Sequence, residues 1–278
     1  MASPVSAAPI AGTSTCSRSL CKQRCLCPSC HAKRQAAFGG FVTEEILESV
    51  PHRHVVISLP RRLRPFFRRC KRLTRLARLA YETLKGLLQT AAGTRTAIPG
   101  AVACVQSAGS LLDWHPHVHL LISWGLFRRD GSFVPIGTTP EPETVARLFR
   151  YRVLRMLLEE GAIEEGVVRN LLAWPHTGFG THVSREIPAD AKTPGVVARY
   201  MIQPPITPER MLGEASSAQI IYRSDIVHPR HQANFRSAEL ATKPCVRPPG
   251  LPRRGERPHP GPPREDHALL WLVLESLG

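Results

Sequence analysis

Acidic residues and aromatic rings are both scarce in this chain. Asp and Glu number 22 against 37 Lys and Arg, a formal net charge of +15, and Phe, Trp and Tyr make up 6% of 278 residues. That balance suits a polyanion, either a nucleic acid or an acidic membrane surface. No run is long and apolar enough to span a bilayer, so a membrane-embedded protein is not expected. The N-terminus lacks a basic stretch followed by an apolar core, so no secretory signal is expected. With 8 cysteines and no export signal, the expected location is a reducing cytoplasm. There the thiols serve metal or packing rather than disulfides.

Histidine is concentrated where the other signals are sparse. Three of the 12 histidines fall in five positions, His115-Pro-His-Val-His119. Val118, Leu120 and Ile122 alternate with His117, His119 and Leu121, which predicts a strand over about 117–123. Alternate side chains on a strand share a face, so His117 and His119 point the same way, with Cα atoms about 7 Å apart. His115 lies nearby if the strand extends past Pro116. A single histidine in a strand is usually a satisfied core or surface residue. Two imidazoles taken out of water together need a partner, and a divalent ion is one that neutral imidazole accepts.

A second cluster is Cys21, Cys25, Cys27 and Cys30, followed by His31. The Cys27-Pro-Ser-Cys30 pair has the spacing of a zinc knuckle, in which a tight turn brings two thiolates to one tetrahedral ion. Cys21 or Cys25 and His31 could complete the set; a redox pair is the other reading. Cys70, Cys104 and Cys245 stand alone and read as packing or loop thiols.

The remaining periodicity predicts alternating elements. Thr43 is placed to cap a short helix to Val50, with Glu44 and Glu45 in its first turn. A strand is expected over 54–59, and a long helix from Pro65 to about Gln89 with Leu73, Leu76, Ala77, Ala80, Leu84, Leu87 and Leu88 as its apolar stripe. Arg68, Arg69, Lys71, Arg72, Arg75 and Arg78 crowd its start, as a solvated face or as phosphate contacts. Ala101–Ser107 should pair with the histidine strand as a hairpin. Helices are expected at 142–160, 162–173 and 193–202, and short strands at 179–186 and around Ile220-Ile-Tyr-Arg. From 237 the pattern ends, and 8 of the 26 prolines fall between Pro244 and Pro263. The expected class is α+β.

Four stretches together resemble one family. They are Cys27-Pro-Ser-Cys-His-Ala-Lys-Arg-Gln, His54-Val-Val-Ile-Ser-Leu-Pro-Arg-Arg-Leu-Arg-Pro-Phe67, Trp114-His-Pro-His-Val-His119 and Ala198-Arg-Tyr-Met-Ile-Gln-Pro-Pro205. In this order they look like the rolling-circle transposases of the insertion-sequence ninety-one type, within the two-tyrosine HUH superfamily. The resemblance implies a small cysteine zinc module, then an HUH nuclease core built as an antiparallel sheet with helices on one face. It implies DNA nicking and strand transfer through a 5′-phosphotyrosine link, on single strands or element ends.

By that resemblance His117 and His119 hold Mg or Mn, with His115 and Asp113 in support. Cys21, Cys27 and Cys30 hold Zn, with Cys25 or His31 as substitutes. Arg61, Arg62, Arg64, Arg68, Arg69, Lys71, Arg72 and Arg199 are the candidate DNA contacts.

Two departures stand out. The family's nucleophiles lie four apart in a Tyr-Tyr-Gly-x-Tyr segment, but this chain has only Tyr81, Tyr151, Tyr200 and Tyr222, none four apart. No catalytic nucleophile is therefore intact. The zinc module's upstream Cys-x-x-Cys is absent as well. Both motifs can be recovered in neighbouring reading frames. Leu269–Ser276 can be coded CTA CTA TGG CTG GTA CTC GAA TCG, which one base later spells Tyr-Tyr-Gly-Trp-Tyr-Ser-Asn. Ala8–Ser14, one base earlier, can spell Cys-Pro-Asp-Cys-Gly-His-Glu.

The expected organisation follows. Residues 1–20 are out of frame, 21–40 are a partial zinc module and 41–236 are the HUH core. Residues 237–278 are an out-of-frame, Pro- and Arg-rich tail, and both ends are expected to be disordered because they were never selected to pack. The copy is then inactive. A non-catalytic DNA-binding remnant and a replication initiator or relaxase of the same superfamily stay open, as does a metal hydrolase using water.

Overall fold

The computed structural model describes residues 28–109, 113–174, 178–188, 193–204, 211–212 and 221–222. The readings for 1–20 and 237–278, and those for Cys21, Cys25, Cys27 and Cys245, lie outside the described residues.

Four strands form one antiparallel sheet: β1 (His52–Ser58), β2 (Ala101–Ala108), β3 (Trp114–Ser123) and β6 (Gly180–Val183), in the order β2-β3-β1-β6. The histidine strand β3 is thus central, between β2 and β1. It reaches back through Pro116, further than periodicity alone predicts. Proline is tolerated there because pairing with β1 begins only at His117↔Ser58, so residues 114–116 have β2 as their one neighbour and a missing N–H costs little.

The period-2 alternation decides what each face meets. Val55 and Ile57 of β1, Ala103 and Val105 of β2, and Val118, Leu120 and Ile122 of β3 are buried together in the main core. Above them lie helices α2 (Cys70–Ala91) and α3 (Pro142–Glu159). The predicted α2 stripe enters that core, Leu87 being its partly buried member. Phe149 of α3 is fully buried and meets Phe179 edge-on; burial of such a ring contributes about 1.5–3 kcal/mol. Glu160, just past α3, takes Arg72 at 2.7 Å and also Arg75, so two of the α2 cations are used within the fold. Helix α4 (Glu165–Ala173) follows and buries no residue completely.

The sheet is covered on its other face too, which corrects the expectation of helices on one side. Helix α1 (Pro28–Phe41), the π-turn Val42–Ile46 and helix α5 (Thr193–Met201) bring Phe38, Val42, Ala198 and Met201 against Val102, Cys104 and Leu121. Small residues let the two helices approach. A Cβ on Gly39 would lie 2.8 Å from Arg199 Cγ, and one on Gly195 3.1 Å from Thr43 Cγ2. Thr43 does not cap a new helix. Its hydroxyl donates to Gly39 O at 2.8 Å and Gly40 O at 3.0 Å, back-bonding into a helix that began fifteen residues earlier.

Other boundaries also moved. Pro65 sits in a 3-10 turn, Arg64–Phe67, and α2 starts only at Cys70. Arg69 is extended, which separates the two pieces, and Arg72 Nη1 donates back to Phe66 O at 2.9 Å, which ties them together. A hairpin of β4 (Gly125–Phe127) and β5 (Phe133–Pro135) was not anticipated, nor was Met211–Leu212 (β7) pairing with Ile221–Tyr222 (β8).

Candidate active site

The register of the sheet builds a row of imidazoles. Val56 and Cys104 flank His119, while Ser58 and Gln106 flank His117, so these side chains share the face away from the main core. His117 and His119 are 4.9 Å apart at their ring centroids, and His115 and His117 are 5.3 Å apart. β1 adds a fourth ring. His54 lies edge to edge with His119, the rings within 11° of parallel and their centroids 5.2 Å apart, and His54 Nε2 lies 3.0 Å from His119 Nδ1. Periodicity placed His54 on a strand, but only the register shows which histidine it meets.

Hydrogen bonding fixes how these rings present themselves. His117 Nδ1 is 2.7 Å from His115 O. A carbonyl only accepts, so Nδ1 carries the proton and the Nε2 lone pair is left open. His119 Nε2 and His115 Nε2 are buried without a partner among the described residues. Burial keeps the row neutral: it lowers the pKa of His54 to about 4, with repulsion from His182 adding, and that of His119 to about 2, with His117 and His54 adding. His115 is lowered to about 4 by burial, then by Arg64 and His117; His117 is lowered by burial and then by Arg64.

A depressed imidazole pKa has a defined consequence for stability. The unfolded chain takes the proton more readily, so the contribution is complete above the unfolded value near 6.5 and is lost as pH falls from there toward about 4. The midpoint temperature of the metal-free protein is therefore expected to drop steadily between about pH 7 and about pH 5, above most carboxylate titration. Thermal melts across that window check it, and a flat profile would contradict it.

Helix α5 covers the row, and three side chains anchor its end. Gln35 Nε2 donates to Arg199 O at 3.1 Å, Gln106 Nε2 to Met201 O at 2.9 Å, and Cys104 Sγ to Met201 O at 3.1 Å. These bonds satisfy carbonyls that a helix C-terminus leaves open. Cys104, read as simple packing, is thus a cap, and burial raises its pKa to about 12 so that it stays a donor. The anchored helix sets Tyr200 edge-on to His54 at 6.0 Å and to His119 at 5.9 Å between centroids. Tyr200 and Arg199 themselves are exposed.

The basic loop after β1 is strapped to the start of β3. Arg64 donates to Leu59 O at 3.2 Å and to Asp113 Oδ2 at 3.1 Å, and Trp114 Nε1 donates to Arg64 O at 2.9 Å. The candidate support Asp113 is therefore paired with Arg64. Arg64 and Arg72 are tied into the fold, Arg62 lies over the Trp174 ring at 4.8 Å, and Arg61, Arg68, Arg69 and Lys71 are exposed.

The chemistry of the donor set fits one divalent ion: two neutral imidazoles on one strand, one with its Nε2 open and the other with its Nε2 buried and unpartnered. Among the described residues, no three His, Cys, Asp or Glu side chains are already gathered as a complete cation site. Cys30 and His31 lie in the first turn of α1, Cys30 half-buried and His31 buried.

Comparison with known proteins places the chain. Residues 100–246 match the family model described as "Putative transposase", a span that includes the histidine strand and α5. The chain is similar to the transposase for insertion sequence element IS801 of Pseudomonas savastanoi pv. phaseolicola, 27% identical over 228 residues, covering 74% of this chain and 54% of that protein. It thus spans about half the length of that relative. No solved structure matches it. No described helix is long and apolar enough to cross a membrane. Matched over more than half its length, with its histidine strand inside the match, the chain belongs to this transposase family.

Proposed function

We propose that residues 41–236 are the HUH nuclease core of a rolling-circle transposase of the insertion-sequence ninety-one type, acting on single-stranded DNA or element ends. The observation that carries this reading is His117 and His119 side by side on one face of the central strand of an antiparallel sheet. His117 and His119 would hold Mg or Mn, with His115 beside them. The ion would polarise the scissile phosphate and offset its developing charge. Arg61, Arg68, Arg69, Lys71 and Arg199 would steer the strand by its phosphates. Zn at Cys21, Cys27 and Cys30, with Cys25 or His31, belongs to the same proposal.

In the covalent step a tyrosine oxygen would bond to phosphorus as the bond to the 3′ oxygen breaks, the phenolic proton leaving with the 3′-hydroxyl. This chain has no tyrosine pair four apart for that step, and Leu269–Ser276 can be coded so that a one-base shift spells Tyr-Tyr-Gly-Trp-Tyr; the family match runs to 246, into the stretch from 237 read as out of frame. The missing pair is what supports an out-of-frame end and a copy that binds DNA without cutting it. The test is metal-dependent nicking of single-stranded DNA by the chain as it stands and by its frame-restored form, with His117→Ala as control.

A further inference from the structure

His54 lies outside the residues that the proposed metal site needs, yet among the described residues it is the side chain bonded to His119 Nδ1, the ring nitrogen on the far side from Nε2. The geometry points to a positioning role: we propose that His54 accepts a hydrogen bond from His119 Nδ1–H, which locks His119 in the tautomer whose Nε2 lone pair is open to a divalent cation. The inference rests on the metal reading of the row and adds to it.

Three observations carry the direction of this bond. The nitrogens are 3.0 Å apart, and with both rings neutral only one of them holds a proton. Were that proton on His54, His119 would carry its own on Nε2, which is buried and has no acceptor among the described residues. Buried N–H groups without an acceptor are rarer than under-satisfied acceptors. With the proton on His119 Nδ1, the atom left bare is a lone pair, which is what a cation takes. His117 is independently held in the same form by His115 O at 2.7 Å. The two rings, 4.9 Å apart, then offer matching lone pairs, one set by a backbone carbonyl and the other by a side chain on the neighbouring strand. Such outer partners commonly fix tautomer and ring orientation in metal-ligating histidines.

Ser184 and Tyr200 complete the setting. Ser184 Oγ accepts from the backbone N–H of His54 at 2.9 Å, and Ser184 N donates to His54 O at 2.9 Å, so the backbone that carries the ring is held from β6's end. Tyr200 stands edge-on to both imidazoles and restricts their rotation.

The experiment is long-range proton–nitrogen NMR of the histidine rings in the metal-free full chain, with Mn2+ titration as a second readout. In the wild type His119 is expected as the Nδ1–H form. His54→Ala should shift His119 toward the Nε2–H form and weaken Mn2+ binding about 10–100-fold. His54→Gln, whose amide oxygen accepts in place of the ring nitrogen, should restore both. A wild-type His119 with its proton on Nε2 overturns the proposal, and so does an unchanged His119 tautomer in a folded His54→Ala. An Nδ1–H His119 in a wild-type protein that takes up no Mn2+ upholds the tautomer assignment and overturns the metal reading alone.

Discussion

Once its residues from 237 onward are read one base later, the chain is expected to form a covalent link to single-stranded DNA with Mn2+ present, where the chain as it stands forms none. Transfer of a DNA strand through an enzyme intermediate needs a nucleophile. Tyr81 is buried, and neither it nor Tyr151, Tyr200 or Tyr222 has a second tyrosine four positions away. The restored segment supplies a pair at that spacing, which on a helix shares one face. In the restored chain, His117→Ala should lower the rate by about 10³-fold or more, because an ion at a transferring phosphate contributes several kcal/mol at about 1.4 kcal/mol per decade. Detection is a protein–DNA adduct that survives denaturant. Codons at Leu269 and Leu270 that cannot spell tyrosine one base later would remove the premise, and a restored chain with no adduct would remove the conclusion.

Neutralising Arg61, Arg68, Arg69 and Lys71 together is expected to cut single-stranded DNA affinity roughly 10³-fold at about 50 mM salt. The estimate takes each cation as one phosphate contact with a salt slope of about 0.7, or about 2.8 for four. The gap should then narrow about 50-fold by about 200 mM. These four are exposed cations of the loop and helix start that follow β1, whose last residue Ser58 pairs with His117; Arg62, also exposed, is engaged over the Trp174 ring. Arg72→Gln is the control. That guanidinium is already bonded to Glu160 and Phe66 O, so its loss should lower stability and leave the salt slope unchanged. Fluorescence anisotropy at several salt concentrations gives both numbers. Equal slopes for the quadruple variant and the wild type would place the DNA elsewhere.

Much of the sheet was legible because its strands obey a strict period. Val118, Leu120 and Ile122 alternate with the histidines, and the structure puts the first set in the main core and the second on the opposite face. The α2 stripe was legible for the same reason. What could not be read was set by pairing between distant segments. His54 meets His119 only through the β1–β3 register, sixty-five residues apart in sequence. Cys104 and Gln106 look ordinary until α5 ends above them. The Asp130-Gly131 turn did carry a hairpin signal, with Gly131 at φ 82° and Asp130 Oδ1 accepting from Ser132 N. Strands of three residues on either side gave too little alternation to register. The stretch before Gly39 read as a basic segment rather than a helix because α1 has no acidic first turn and no clear apolar stripe; its packing comes from small residues, which leave no periodic trace.

The close crossing at Gly39 and Gly195 makes two helices share one fate. The crossing has no room for a side chain on either helix: a Cβ on Gly39 would meet Arg199 Cγ and Gly195 O, and one on Gly195 would meet Thr43 Cγ2. Tyr200, riding on α5, inherits that constraint. A methyl group added at either glycine would push α5, and Tyr200 with it, from its place beside His54 and His119.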